Sequence, residues 1–281
     1  MIEINEVSVN RVLNLTAIDL GDYVINPYRG CEFACLYCYV RSNKVASKRK
    51  KPWGTYVDIR KNAPDFLEKE IREKKPKTVL LGSTTECFQP VEKKFRLTKR
   101  ILEILNNHEV PYIILTRSPY IVEYIPLLNQ GFCKRIYFTV NNYSDTFKQA
   151  IEPKSPSFVS RNIAIQALLD AGMPVIPYYS PVIPWVTEIK DAFSLFPTAE
   201  RIDFEYLNFN LKNTLDIIKS ISLTDRVRGK NISRMVYEKN YYEQTWDTMD
   251  EEIERQANRA NKRYKRYRHP FDAFFKNTYF D

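Results

Sequence analysis

Short β-rich runs alternate with longer amphipathic stretches from Tyr23 to Leu207. The runs Tyr23–Asn26, Thr78–Gly82, Tyr112–Thr116, Arg135–Val140, Val175–Tyr179 and Arg201–Leu207 predict strands. Between them, Phe95–Asn106 repeats apolar residues at helical spacing through Leu97, Ile101, Leu102 and Leu105. Pro156–Ala171 does the same through Ile163, Ala164, Ala167 and Leu168, and Gly172 with Pro174 supplies the stop signal. Strands alternating with helices imply a parallel sheet with right-handed crossovers. Six such units predict an α/β fold of the partial (β/α)6 TIM type, with functional residues where strands end and loops begin.

The pattern changes after that. Residues 1–210 are assigned to the barrel, and residues 211–281 to a basic, Tyr-rich, mainly helical C-terminal extension packed on it. Within the extension, Met249–Tyr267 is predicted as one charged helix, with Glu251, Glu252 and Glu254 early and Arg263, Lys265 and Arg266 late, an order that complements the helix dipole. Lys262, Arg263, Lys265, Arg266 and Arg268 interleave with Tyr264 and Tyr267. Basic residues beside aromatics suit phosphate contact and base stacking, and they equally suit a solvated helix face.

Composition narrows the setting. Hydrophobic residues make up 44% and charged residues 27%, as in a globular protein. No apolar run is long enough to span a bilayer, and the first residues lack a basic region followed by an apolar one, so the expected compartment is the cytoplasm, with no membrane partner. The net charge of +9 makes a polyanionic partner such as nucleic acid a candidate. Five cysteines are too few for a disulfide scaffold and odd in number, which points to a reducing compartment and a metal or cluster.

Three of the five, Cys31, Cys35 and Cys38, are spaced C-x3-C-x2-C on a loop directly after the first predicted strand. Thiolates are soft ligands for iron–sulfur clusters or zinc. Three of them around a four-iron cluster leave one iron without a protein ligand, an open position of the kind catalytic metals keep. A structural zinc centre needs a fourth Cys or His. His108 and His269 are distant in sequence, whereas Cys87 follows a strand end and can approach.

The segment Asn26-Pro-Tyr-Arg-Gly-Cys31 through Cys35-Leu-Tyr37-Cys38-Tyr39 resembles the radical S-adenosylmethionine (SAM) superfamily, whose signature is C-x3-C-x-aromatic-C. It is similar in particular to the spore photoproduct lyase-like (DNA repair photolyase-like) branch. The likeness continues in Ser83, Thr85, Glu86, Phe88, Gln89, Pro90 and Glu92, in Ile114–Ser118, in Glu152, Pro153, Pro156, Ser157 and Arg161, and in Pro181–Pro184 against the pattern P-I-I-P-G. It covers about residues 20–210. The resemblance implies a lyase-like radical SAM enzyme with a 4Fe-4S cluster and S-adenosyl-L-methionine as cofactors, and a reductant such as flavodoxin or ferredoxin. SAM would chelate the open iron, and one-electron cleavage would give a 5′-deoxyadenosyl radical that abstracts hydrogen from a substrate.

It also implies roles for the strand ends. Ser83, Thr85 and Glu86 would hold the SAM amino group, and Arg117 its carboxylate as a fork, or else make a surface ion pair. Thr139 and Asn141 would bond the ribose, although Asn141 can simply cap a turn. Arg161 would pair with Glu152 or touch SAM. Tyr37 and Tyr39 would lie near the cluster and adenine, with Val182–Pro184 as an apolar surface. The branch's namesake uses a cysteine hydrogen donor near the end of strand two, where this chain has Ser83, a departure that speaks against photoproduct repair. The remaining readings are a radical SAM enzyme for a peptide or small metabolite, and a non-catalytic metal-binding module.

Overall fold

In the computed structural model of the chain, residues 2–44 and 49–271 are described. The last ten residues of the predicted extension, 272–281, lie outside them. The strands in chain order are β1 (Glu3–Val7), β2 (Asn14–Leu15), β3 (Tyr23–Ile25), β4 (Tyr28–Arg29), β5 (Tyr56–Arg60), β6 (Val79–Leu81), β7 (Tyr112–Thr116), β8 (Cys133–Thr139), β9 (Val175–Val182), β10 (Arg201–Tyr206) and β11 (Arg263–Tyr267). The helices are α1 (Ala63–Lys74), α2 (Glu92–Phe95), α3 (Leu97–Asn107), α4 (Ile125–Leu128), α5 (Asp145–Ile151), α6 (Phe158–Asp170), α7 (Thr214–Thr224), α8 (Arg226–Tyr237) and α9 (Lys239–Ala260). All six predicted strands are present, as β3, β6, β7, β8, β9 and β10.

The chain divides into two compact units. The first comprises Met1–Ala34, Lys44–Thr139 and Ser155–Ile176. Its main strands β3, β6, β7 and β8 are parallel neighbours, in registers such as Val24↔Leu80 and Leu80↔Ile113, with β2 antiparallel on β3. Strand β6 is wholly buried, the continuous apolar pattern of a strand covered on both faces. A separate small sheet pairs β1 with β5 in parallel and β4 with β5 antiparallel. Helix α3 buries Leu97, Ile101, Leu102 and Leu105, the predicted stripe. Helix α6 differs from expectation. Ile163 is 66% exposed, and the inward face is Arg161, Ala164, Ile165 and Leu168. Ala164 and Leu168 of the predicted stripe are buried, with Arg161 and Ile165 beside them in place of Ile163.

The second unit comprises Cys35–Asn43, Val140–Lys154 and Pro177–Asp281. Here β9, β10 and β11 are successive parallel neighbours, with Phe204↔Tyr179 and Phe204↔Arg266 in register. The predicted helix Met249–Tyr267 is corrected at both ends. Helix α9 begins at Lys239 and stops at Asn261, which takes a left-handed φ of 50° and caps it. The following Arg-Tyr-Lys-Arg-Tyr is a strand, because β10 offers an unpaired backbone edge and the buried Asp203 accepts a hydrogen bond from Lys265 N (3.1 Å).

Helix α9 is anchored on β10 by aromatic packing. The fully buried Trp246 ring stacks on Tyr206 (centroids 4.1 Å apart, 6° between planes), and Tyr242 meets it edge-on at 6.0 Å. The Tyr206 hydroxyl donates to Asp250 of the same helix. Removing the indole leaves a cavity that the flanking rings cannot close. Trp246→Ala is expected to lose about 3–5 kcal/mol of unfolding free energy in urea titration. A loss below about 1 kcal/mol would show that this stack does not hold the helix.

Candidate active site

The cysteine loop begins where β4 ends. Gly30 has φ +97°, and a Cβ there would lie 2.2 Å from the carbonyl oxygen of Tyr56, so only glycine passes. Its own carbonyl accepts hydrogen bonds from Thr85 Oγ1 (2.6 Å) and Gln89 Nε2 (3.5 Å). One residue beyond Cys31, Glu32 N donates to Gln89 Oε1 (2.9 Å), and its carboxylate accepts from Val91 N (2.6 Å). The segment after β6 therefore clamps the start of the loop on both sides of Cys31. This places Thr85, expected at the SAM amino group, in the scaffold of the loop, together with Gln89, whose role sequence spacing does not reveal.

Cys35 and Cys38 belong to the second unit. Cys38 N donates to Cys35 O (3.3 Å), and Arg41 Nε donates to the same carbonyl (2.8 Å), so a tight turn holds the two cysteines. Leu36 N donates to Ile151 O (2.7 Å), tying the turn to the end of α5. The Tyr37 hydroxyl donates to Glu152 and accepts from Asn141 Nδ2 (3.0 Å). Tyr39 is exposed and opens the 3-10 turn Tyr39–Ser42. Cys31 and Cys38 are half-buried, Cys35 is buried, and none of the five cysteines is in a disulfide. Among the described residues, no three His, Cys, Asp or Glu side chains converge on one point as a single ion requires.

The strand ends carry the remaining predicted residues. Ser83 Oγ accepts from Asn26 Nδ2 (3.2 Å). Glu86 is buried. Its Oε1 accepts from Phe88 N (3.0 Å) and Thr116 Oγ1 (2.7 Å), and its Oε2 from Arg117 N (2.9 Å). Burial raises its pKa above the ordinary carboxylate value, against these donors, which favour the charged form. One acceptor position on Oε2 remains unfilled by these bonds. Thr139 ends β8, buried. Asn141, at φ +44°, accepts from Ser180 N (2.9 Å) and donates to Ser180 O (2.8 Å), so its amide braces the end of β9 as well as Tyr37. Arg161 is wholly buried on α6.

Sequence reading missed one polar cluster. Glu205, near the end of β10, accepts from the hydroxyls of Ser180 (2.5 Å) and Tyr178 (3.0 Å), with His269 Nε2 3.6 Å away. Burial works to raise the Glu205 pKa, but His269, Ser180 and Tyr178 outweigh it and hold the carboxyl below its ordinary value. Its signal in the sequence is the alternation of Arg201, Asp203 and Glu205 with Ile202, Phe204 and Tyr206 along β10, which puts three charges on one face of the strand. Cys87 and Cys133 are buried, and burial pushes both thiols up, Cys133 to about 12, so both are protonated at neutral pH.

The family model of the Radical SAM superfamily matches residues 25–192, which include the cysteine loop and strands β6 to β9. An uncharacterised protein of Methanocaldococcus jannaschii is 32% identical over 75% of this chain and 79% of its own. An uncharacterised protein of Mycobacterium tuberculosis is 26% identical over 64% of this chain, which spans 55% of that relative. Among solved structures, a spore photoproduct lyase variant has a TM-score of 0.59 at 17% identity over 77% of this chain and 65% of its own. SuiB of Streptococcus suis, bound to the precursor peptide SuiA, has a TM-score of 0.52 at 11% identity, over 90% of this chain and 50% of its own. These likenesses share the α/β, partial TIM-type fold with a helical C-terminal region. The match to more than half of the chain shows that this protein belongs to the radical SAM superfamily and is an enzyme of it.

Proposed function

We propose that Cys31, Cys35 and Cys38 hold a 4Fe-4S cluster, that SAM binds beside it, and that the substrate is a nucleic acid. The observation that carries the reading is the pinned loop. Three thiols within eight residues follow a glycine that Thr85 and Gln89 hold in place. Three soft thiolate donors at C-x3-C-x2-C spacing suit a four-iron cluster with one iron left open. When bound, the cluster and SAM would supply one-electron reductive cleavage of the sulfonium and, with it, the power to abstract hydrogen from a substrate.

The chain's own residues hold and orient. Thr85 and Gln89 are positioning residues that act through the Gly30 carbonyl. Glu86, whose pKa burial raises despite three internal donors, offers its remaining lone pair to the SAM ammonium, a charge that would offset that burial. Ser83, Arg117, Thr139 and Arg161 are the further polar groups proposed for SAM, and Tyr37 and Tyr39 flank the cluster and adenine. Asn141 keeps the Tyr37 hydroxyl oriented. The electron comes from a small reductant protein such as flavodoxin or ferredoxin.

A nucleic-acid substrate draws support from the net charge and from the fold shared with spore photoproduct lyase, one variant of which was solved with AdoMet and a dinucleoside spore photoproduct. The basic C-terminal segment supports it less than expected. Arg263 pairs with Glu200, Arg266 with Asp250, and Arg268 with Glu243 and Asp247. The second reading, a peptide substrate, is favoured by the SuiB likeness, which extends over 92% of this chain in its SAM-bound form.

Anaerobic reconstitution is expected to load roughly four irons and four sulfides per chain, and reduction with SAM to release 5′-deoxyadenosine. Cys35→Ala is expected to abolish both, and tightly bound zinc without SAM cleavage would overturn the assignment. Release is expected to rise with DNA or RNA and not with peptide pools; the reverse would transfer the enzyme to the second reading. Thr85→Val leaves the Gly30 carbonyl one donor short. It is expected to cost about 1–3 kcal/mol of stability and to lower the iron content of the reconstituted chain. Iron content equal to wild type would show that the clamp does not position the loop.

A further inference from the structure

Trp185 stands third in the turn Ile183-Pro184-Trp185-Val186, closed by Val186 N donating to Ile183 O (3.1 Å). Thr187 reinforces it, donating its N–H to the same carbonyl (2.8 Å) and accepting Ile183 N at its hydroxyl (2.7 Å). Proline second and a left-handed residue third is a place that glycine ordinarily fills, because a Cβ is disfavoured there. It is also the place of the glycine in the P-I-I-P-G pattern that Pro181–Pro184 matches. This chain instead keeps its largest side-chain type at φ +61°.

Burial does not compensate for that strain. Trp185 is 39% exposed, whereas Trp53 and Trp246 are 6% and 0% exposed. The indole lies instead on Tyr241, near-parallel at 18° and offset, with centroids 6.2 Å apart. The Arg234 guanidinium sits 4.1 Å from the Tyr241 centroid and is held by Glu238 (2.7 Å). The chain from Asp225 to Lys239 carries five basic residues (Arg226, Arg228, Lys230, Arg234, Lys239) against the two acids Asp225 and Glu238. Backbone strain kept at a side chain that stays more than a third exposed points to a role for the exposed face. What it presents is an aromatic face, backed by a second ring and a guanidinium.

We propose that Trp185, Tyr241 and Arg234 form a stacking platform for an unpaired nucleobase of single-stranded nucleic acid. Every base has a face that can stack on the indole, and the Arg234 guanidinium on Tyr241 extends the platform by a cation–π contact. The inference rests on the nucleic-acid part of the function proposed above and is independent of the cluster chemistry.

Trp185 is the exposed one of the chain's three tryptophans, so its emission reports on the platform. Titrating the full chain with short oligo(dT) or oligo(U), without SAM, is expected to quench the fluorescence saturably, with affinity falling as salt rises. Trp185→Gly suits the backbone, so its thermal midpoint should equal or exceed that of wild type. Its affinity for a labelled oligonucleotide, read by anisotropy, should fall about ten-fold, the worth of roughly one stacked base. Trp185→Phe should recover part of that loss. Unchanged affinity in Trp185→Gly, absence of saturable binding, or quenching by an aromatic peptide but not by oligonucleotides would overturn the platform. SAM cleavage by wild type, measured without substrate, tests the radical SAM reading separately, so the two failures are distinguishable.

Discussion

The carbonyl of Gly30 is the fixed point of the molecule. It ends β4 in a backbone conformation open only to glycine, and donors from the segment after β6 hold it. A buried carbonyl with two donors is costly to displace, because moving it strands the Thr85 hydroxyl and the Gln89 amide as well. The first cysteine follows directly on this point, and Glu32 is secured to the same segment one residue later. Much of the polarity after β6 thus serves the loop, and through the loop any group that the cysteines hold. Glu92, wholly buried, does the same for the packing behind it. Its carboxylate accepts from the hydroxyls of Tyr28 and Tyr124 and from Thr98 N, joining β4 to α3.

What the sequence discloses follows from the range of the forces involved. The six main strands are legible because their apolar and β-branched residues form short local runs, continuous in β6 and alternating with charges in β10. Strand β5 is not legible, because its Asp58 is fully buried and neutralised by Arg29 and Arg49, residues on other segments. Strand β11 has no aliphatic residue at all. Backbone pairing to β10 and the bond from Lys265 N to Asp203 hold it, and its arginines are oriented by acids of α9 and the preceding loop. The stripe on α6 misleads for the same reason, since a buried Arg161 occupies the place that spacing gives to an aliphatic side chain.

The candidate site divides along the same line. The cysteines are legible from spacing alone, because three ligands on one loop are a local feature. The clamp is not, since Thr85 and Gln89 act on a carbonyl more than fifty residues earlier. The brace between Asn141, Tyr37 and Ser180 likewise joins three separate segments. Sequence patterning identifies Glu86 as a charge at a strand end, but its three internal donors appear only once β6 and β7 are side by side.

Charge pairing also moves the question of substrate recognition. A basic segment attracts phosphate only to the extent that its charge is not already spent, and the cations of β11 and its flank face carboxylates of their own unit. Net charge alone therefore does not locate a nucleic-acid surface on this chain. Electrostatics of that kind attracts any polyanion, whereas an exposed ring held in a glycine conformation is a feature with a shape. Discrimination between single-stranded nucleic acid and other anions must then arise from stacking surface rather than from counting lysines and arginines. The turn after β9 offers one such surface, an indole held at a left-handed φ and stacked on Tyr241.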